Sequence, residues 1–192
     1  ACLVGSEMCI RDRTIPANGQ KAFLVKDQLG VSGTGWIEIV ADKQIIGLEI
    51  FGNIASGGLA GLGHSRMPSY MLGFSHFDST ADWWTGVALA NPNDSLANVT
   101  IIALNQSGTE IGSSTITLPA NGQKAFLVKD QLGVSGTGWI YAESDQPIVG
   151  LEIFGNIHTG QITGVPATIY ASTTLYFPHF DSTEGAWWTG IA

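Results

Sequence analysis

Hydrophobic and polar positions along this chain alternate in short runs broken by turn residues, and almost nowhere recur at helical spacing. Asn98 to Asn105 is a β-branched, apolar run that stops at Asn105-Gln106-Ser107-Gly108, and Thr109 to Leu118 resumes with Thr, Ser and Ile. That pattern predicts a hairpin across a glycine-containing loop. Leu118-Pro119-Ala120-Asn121-Gly122 predicts the next turn, with Pro and Asn-Gly supplying the dihedrals. Lys124 to Lys129 reads as another strand, and Asp130-Gln131-Leu132-Gly133 as one helical turn closed by glycine. Trp139 to Glu143 is a strand, after which Ser144-Asp145-Gln146-Pro147 predicts a turn into Ile148 to Phe154. In that last strand Val149, Leu151 and Ile153 share a face and are expected to point at the core. Thr168 to Phe177 predicts one further strand, rich in Tyr and Thr.

The same pattern occurs twice. Thr14 to Asn53 matches Thr117 to Asn156 at an offset of 103, with 32 of 40 positions identical and Pro16 to Ile37 the same as Pro119 to Ile140 throughout. His76-Phe77-Asp78-Ser79-Thr80 returns as His179-Phe180-Asp181-Ser182-Thr183. One inserted residue later, Trp83-Trp84-Thr85-Gly86 returns as Trp187-Trp188-Thr189-Gly190. Self-similarity at a fixed period is the mark of a repeat architecture. It divides the chain into the C-terminal part of one unit (14–68), a complete unit (69–167) and the opening strands of a third (168–192). On this reading the sequence is a fragment of a longer tandem array, truncated at both ends.

About seven short strands per unit, with turn signals every 8–12 residues, predict an all-β fold of tandem antiparallel β-sandwiches of immunoglobulin-like type. Closed barrels satisfy the same statistics, and tandem repetition at this length favours sandwiches. The run Trp-Thr-Gly, Ala-Leu-Ala-Asn-Pro, a hairpin, Leu-Pro-x-Asn-Gly-Gln, Gly-Trp-Ile and Gly-Leu-Glu-Ile-Phe-Gly resembles modules repeated in large secreted or surface bacterial proteins. The resemblance covers residues 14–192 and implies a fold class and an extracellular or cell-surface location. It implies no catalytic activity.

Residues 1–13, ACLVGSEMCIRDR, differ in kind from the rest and hold both cysteines, Cys2 and Cys9. They resemble translated sequencing-adapter DNA, as found at the ends of metagenome-derived reading frames, and are set aside as non-native. They lack the apolar core and small-residue cleavage site of a signal peptide, and the Cys2–Cys9 spacing matches no metal or redox motif. Without them no cysteine remains, so no disulfide framework holds the fold. The chain carries 8 Lys and Arg against 16 Asp and Glu, a net charge of −8. Such a balance argues against nucleic acid as a partner, because phosphate recognition needs clustered cations. No apolar run approaches the roughly 20 residues that span a bilayer.

Candidate chemistry is sparse. Trp83-Trp84 and Trp187-Trp188 are the foremost ligand candidates, because neighbours on a strand point to opposite faces and at most one of each pair enters the core. The other, beside Asp78 or Asp181, is placed to stack on a sugar ring or to pack at a sheet edge or unit junction. His76 and Asp78, with their copies His179 and Asp181, are expected to form a hydrogen-bonded pair and not a metal site, since zinc needs three or four ligands and calcium six to eight oxygens. Asn91-Pro92-Asn93-Asp94-Ser95 is expected to be a polar turn. Glu49 and Glu152 sit in apolar runs, and alternation places Glu152 toward solvent, opposite Leu151 and Ile153. Ser32 and Ser135 lack the flanks of a nucleophile elbow, and Gly57 to Gly63 is expected to be a flexible connection. Sequons begin at Asn93, Asn98 and Asn105.

These features predict a non-catalytic extracellular structural or adhesion-type module, a stalk or scaffold, without cofactor or metal. Its expected partners are neighbouring repeats of the same chain, with glycans or surface proteins as further candidates. The alternative is a carbohydrate-binding module appended to a secreted hydrolase and working through an exposed Trp.

Overall fold

The structure is a computed structural model that describes residues 2–4, 7–9, 14–65, 67–186 and 189–192, so Trp187 and Trp188 lie outside the described residues. Strands β1 (Cys2–Val4) and β2 (Glu7–Cys9) pair, among the described residues, only with each other. A short helix α1 (Val25–Leu29) precedes the antiparallel hairpin of β3 (Leu48–Gly52) and β4 (Leu59–Gly63). The main body follows: β5 (Ser69–Ser79), β6 (Trp83–Ala90), β7 (Ala97–Asn105), β8 (Glu110–Leu118), β9 (Gln123–Leu127), helix α2 (Val128–Leu132), β10 (Gly136–Asn156) and β11 (Ile162–Pro166).

The body is an antiparallel all-β sandwich organised around β10, whose 21 residues serve two sheets. Its first half pairs with β7, from Gly138↔Asn105 to Ser144↔Val99, and with β5, from Gly136↔Ser79 to Ile148↔Ser69. Its second half pairs with β6, from Val149↔Ala90 to Asn156↔Trp83, and with β11, from Leu151↔Pro166 to Gly155↔Ile162. One layer is therefore β8-β7-β10-β5 and the other β9-β6-β10-β11. A shared strand obliges the layers to curl toward each other as a half-barrel. Phe77, Leu89, Ile101, Leu118, Ile140 and Ile148 fill the space between them.

The two open sides of this half-barrel are closed differently. On one, α2 packs against the edge strands β8 and β9. There Val128 and Leu132 enter the core, and Gln131 Nε2 donates to Ser114 Oγ at 2.7 Å. On the other, β5 meets the chain beyond β11 through an isolated bridge. Gly73 N donates to Thr168 O and Thr168 N to Gly73 O, both at 2.8 Å. Ala167 N adds a bond to Gly150 O at 3.0 Å.

The hairpin predicted across Asn105–Gly108 is present as β7–β8. Several other expectations are corrected. Ser144–Pro147 is no turn, because the strand continues and changes sheet there, with the ladder shifting register between Glu143 and Ile148. The polar residues hold the corner. Asp145 accepts from Asn98 N and Nδ2 at 2.8 Å each, and Pro147 O accepts from Asn93 Nδ2 at 2.8 Å. Pro147 lacks a donor and is tolerated because the irregularity leaves its position outside the regular ladder.

Val149, Leu151 and Ile153 are only half-buried, and the fully buried face of β10 carries Ile148, Gly150 and Glu152. Alternation misleads here because both faces of this hairpin are covered. On the outside, Leu62 of β4 lies against Gly164 and Gly63 abuts Pro166. The predicted flexible Gly57–Gly63 thus contains strand β4. The predicted strand over Thr168–Phe177 is reduced to the single Gly73–Thr168 bridge, since no described strand offers the rest of it a ladder. Strand β9 ends at Leu127, two residues earlier than expected, because Val128 already begins α2.

Candidate functional site

The Trp-Asp motif is first of all a structural clip. Thr85 is buried on β6, its Oγ1 accepts from Asp78 N at 2.9 Å, and the same hydroxyl donates to Asp78 O at 3.0 Å. The Asp78 carboxylate accepts from Thr80 N at 2.9 Å and so shapes the β5–β6 turn. The copy repeats it. Asp181 N donates to Thr189 Oγ1 at 2.9 Å, Thr189 Oγ1 donates to Asp181 O at 2.8 Å, and Thr183 N donates to Asp181 Oδ1 at 2.9 Å. The Thr183 hydroxyl and amide hold the Asp181 carboxyl below its usual range. Both aspartates use one carboxylate oxygen and their own backbone to shape the turn around them.

The two tryptophans behave as alternation requires. Trp83 is 37 % exposed at the start of β6. Trp84 is half-buried and lies across Gly155, its partner on β10, where any Cβ would run into the indole. The expected His76–Asp78 pair is not formed. The His76 ring instead packs on Phe154, centroids 5.6 Å apart. The exposed pair in this corner is Asp82–His158, at 2.9 Å, which ties the β10–β11 turn to the β5–β6 turn. Asn91 is fully buried, and its Nδ2 donates to the carbonyls of Ser95, Leu118 and Pro119. Its segment is the polar turn expected, and among the described residues no group of three His, Cys, Asp or Glu could hold a metal.

A second aromatic group lies outside the ligand candidates of the sequence. Trp139 and Tyr141 stand two apart on β10, on the face opposite the buried Ile140, with ring centroids 5.6 Å apart and planes tilted by 33°. Trp139 is 39 % exposed. Gly-Trp-Ile-Tyr-Ala alternation marks this face, which was available in the sequence.

The third feature overturns an expectation. Glu152 is 2 % exposed, not solvent-facing, and its Oε2 has no hydrogen-bond partner. It sits on the inner face of β10, between Val87 on β6 and Val165 on β11. Burial alone pushes its carboxyl up to about 8. A cavity of about 40 Å³ adjoins it, lined by Gly73, Phe74, Ser75, Val165, Pro166 and Thr168. It therefore lies at the weakly bridged side of the half-barrel. A larger cavity of about 210 Å³ on the same side is lined by His64, Met67, Leu72, Gly150, Ala167 and Ile169 among others. Ile148 and Phe154, four before and two after Glu152, fall on its face, and that apolar company was the sequence signal for burial. Glu49, its copy, is exposed on β3.

No helix among the described residues is long and apolar enough to cross a membrane. No family model and no curated protein matches the chain. Among solved structures, the chain is similar to Thermotoga maritima 1070, at 13 % identity and a TM-score of 0.48, over 54 % of this chain and 96 % of that one. It is also similar to the Anabaena sensory rhodopsin transducer, at 17 % identity and a TM-score of 0.40, over 46 % of this chain and 99 % of that one.

Proposed function

We propose that this chain is a non-catalytic structural module of a repetitive extracellular bacterial protein, acting as a stalk or scaffold and contributing to adhesion. The observation that carries the reading is the packing of one copy on the next. The β3–β4 hairpin and the β10–β11 hairpin have the same register, Leu48↔Gly63 corresponding to Leu151↔Pro166, and Leu62 of the first is buried against Gly164 of the second. Repeats that stack in this way gain stability from each unit and each junction. A polypeptide of residues 69–169, which retains the Gly73–Thr168 bridge, is expected to unfold cooperatively by itself in urea. Failure to fold alone would remove the independent-module reading. Within the whole chain, Leu62→Asp is expected to loosen the junction while leaving that unit folded.

A second reading, a carbohydrate-binding surface of a secreted hydrolase, is favoured by the aromatic pair Trp139–Tyr141. An exposed Trp139 beside a half-buried Tyr141 on one sheet face suits stacking on a sugar chain better than Trp83, which stands singly, or Trp84, which lies on Gly155. Affinity electrophoresis on polysaccharide gels tests it. Retardation lost in Trp139→Ala and kept in Trp83→Ala is the expected result, and no retardation of the parent chain would retire the reading.

A further inference from the structure

We propose that the cavity beside Glu152 is a binding site for one small monovalent cation, of the ammonium or alkali class, held by the Glu152 carboxylate. A carboxyl with an unpartnered buried oxygen is costly, and such groups are normally paired or hydrogen-bonded. Here the partner is missing while the room for it is present. The cavity is about 40 Å³, where roughly 10–15 Å³ suffices for a water-sized occupant.

The lining selects the class of ligand. Apart from Glu152 the lining is uncharged, with Phe74 at its buried side and Ser75 and Thr168 at its exposed side, and no Lys or Arg lines the space. One acid with no basic partner suits a cation of single charge. A divalent ion would need more acids, since calcium takes about six to eight oxygens, and no cluster of His, Cys, Asp or Glu stands there among the described residues. The site belongs to the fold and not merely to the motif, because Glu49, in the same Gly-Leu-Glu-Ile-Phe-Gly run, is exposed.

Cation uptake competes with the proton on Glu152, so the surrounding titratable groups matter. Strand β5 carries Tyr70, His76 and Asp78, β10 carries Tyr141, Glu143 and Asp145 besides Glu152, β6 and β11 carry none, and Asp82 and His158 are bound to each other outside. None of them lines the cavity. The pH response of the site therefore belongs to Glu152.

The test uses the whole chain with Glu152→Gln beside it, at pH 8.5 and constant ionic strength. Choline chloride is the bulky control, and potassium, sodium, ammonium and methylammonium chlorides are the probes. The expected result is a melting temperature several degrees higher in at least one small-cation salt than in choline, and no such rise in Glu152→Gln. A rise with ammonium and methylammonium but not potassium assigns the site to amines, and the reverse assigns it to alkali ions. Carboxyl carbon NMR of the parent chain gives a second readout that needs no variant. The Glu152 midpoint should fall by one unit or more, a tenfold effect, on exchanging choline for the preferred cation. An unchanged midpoint in every salt, or an equal melting shift in Glu152→Gln, would overturn the proposal and leave water as the only occupant.

Discussion

Residues 16–37 and 119–140 are the same amino acids in the same order, and the two stretches share their turns while differing in their strands. Asn18 and Asn121 both adopt positive φ, at 58° and 56°, and Gly30 and Gly133 close α1 and α2 at 69° and 67°. Gly19 N donates to Pro16 O at 2.8 Å, and Gly122 N to Pro119 O at 2.9 Å. Yet Gln123–Leu127 is strand β9, hydrogen-bonded to β6, whereas residues 20–24 carry no ladder. Ile140 is fully buried on β10, and Ile37 is 41 % exposed. Identical chemistry thus yields identical turns, which close within a few residues, and different strands, which exist only where a neighbour supplies the other half of the ladder.

The largest effect that can break or confirm this contrast comes from one substitution made twice. Ile140→Ala removes side-chain volume from between the sheets and is expected to lower the unfolding free energy by about 2–5 kcal/mol. Ile37→Ala, at the equivalent position, is expected to change it by less than about 0.5 kcal/mol. Urea unfolding followed by tryptophan fluorescence measures both. Equal losses would mean that the first copy has a core of its own.

The acids provide the next comparison. Glu152 titrates near 8 in the fold against 4.5 without its surroundings. Below 4.5 it is protonated in both states and subtracts nothing. As pH rises the unfolded chain ionises first, so stability falls progressively until the folded group ionises as well, near 8. Between pH 6 and pH 9 the expected loss is about 2–3 kcal/mol, with choline as the only salt cation. Glu152→Gln should flatten that slope and Glu49→Gln should leave it intact, as read from urea midpoints across the range.

What the sequence makes legible follows the same division. The β7–β8 hairpin, the turn at Asn121-Gly122 and the glycine that ends α2 are written in neighbouring residues, and each can be read without knowing the fold. The Asx geometry of Asp78 and Asp181 is local too, though the spacing of His76 and Asp78 suggested a different partner. The crossing of β10 from one sheet to the other is not local. Ser144-Asp145-Gln146-Pro147 has the composition of a turn, and only the distant Asn93 and Asn98 make it a corner within a strand. Glu152 escapes for a related reason. Alternation assumes one wet face, and at Glu152 the inner face is closed by β5 while β4 covers the outer side of β11.

The threonine clips sharpen the contrast at a smaller scale. Thr85 is 1 % exposed, and Thr85→Val would strand the amide and carbonyl of Asp78 without a partner. A cost of about 1–3 kcal/mol is expected. Thr189 makes the same two bonds at an exposed site, where water replaces them, so Thr189→Val should cost less than about 0.5 kcal/mol. Thermal unfolding of the two variants separates a burial effect from a bonding effect.

The smallest expected effect lies where the copies agree. Gly30 and Gly133 both hold a left-handed conformation and donate their amides to Lys26 O and Lys129 O at 2.9 Å. Alanine at either position meets the same backbone strain, about 1 kcal/mol. In α2 that strain is tied to Val128 and Leu132 in the core, so Gly133→Ala should lower global stability by the full amount. In α1 only Leu29 is buried, and among the described residues no strand packs beside it as β8 and β9 do beside α2. Gly30→Ala should therefore let the cap open, with faster amide exchange at residue 30 and no shift in the urea midpoint. A midpoint shift equal to that of Gly133→Ala would show instead that α1 unfolds together with the sandwich, and the local element would then be a cooperative part of the whole.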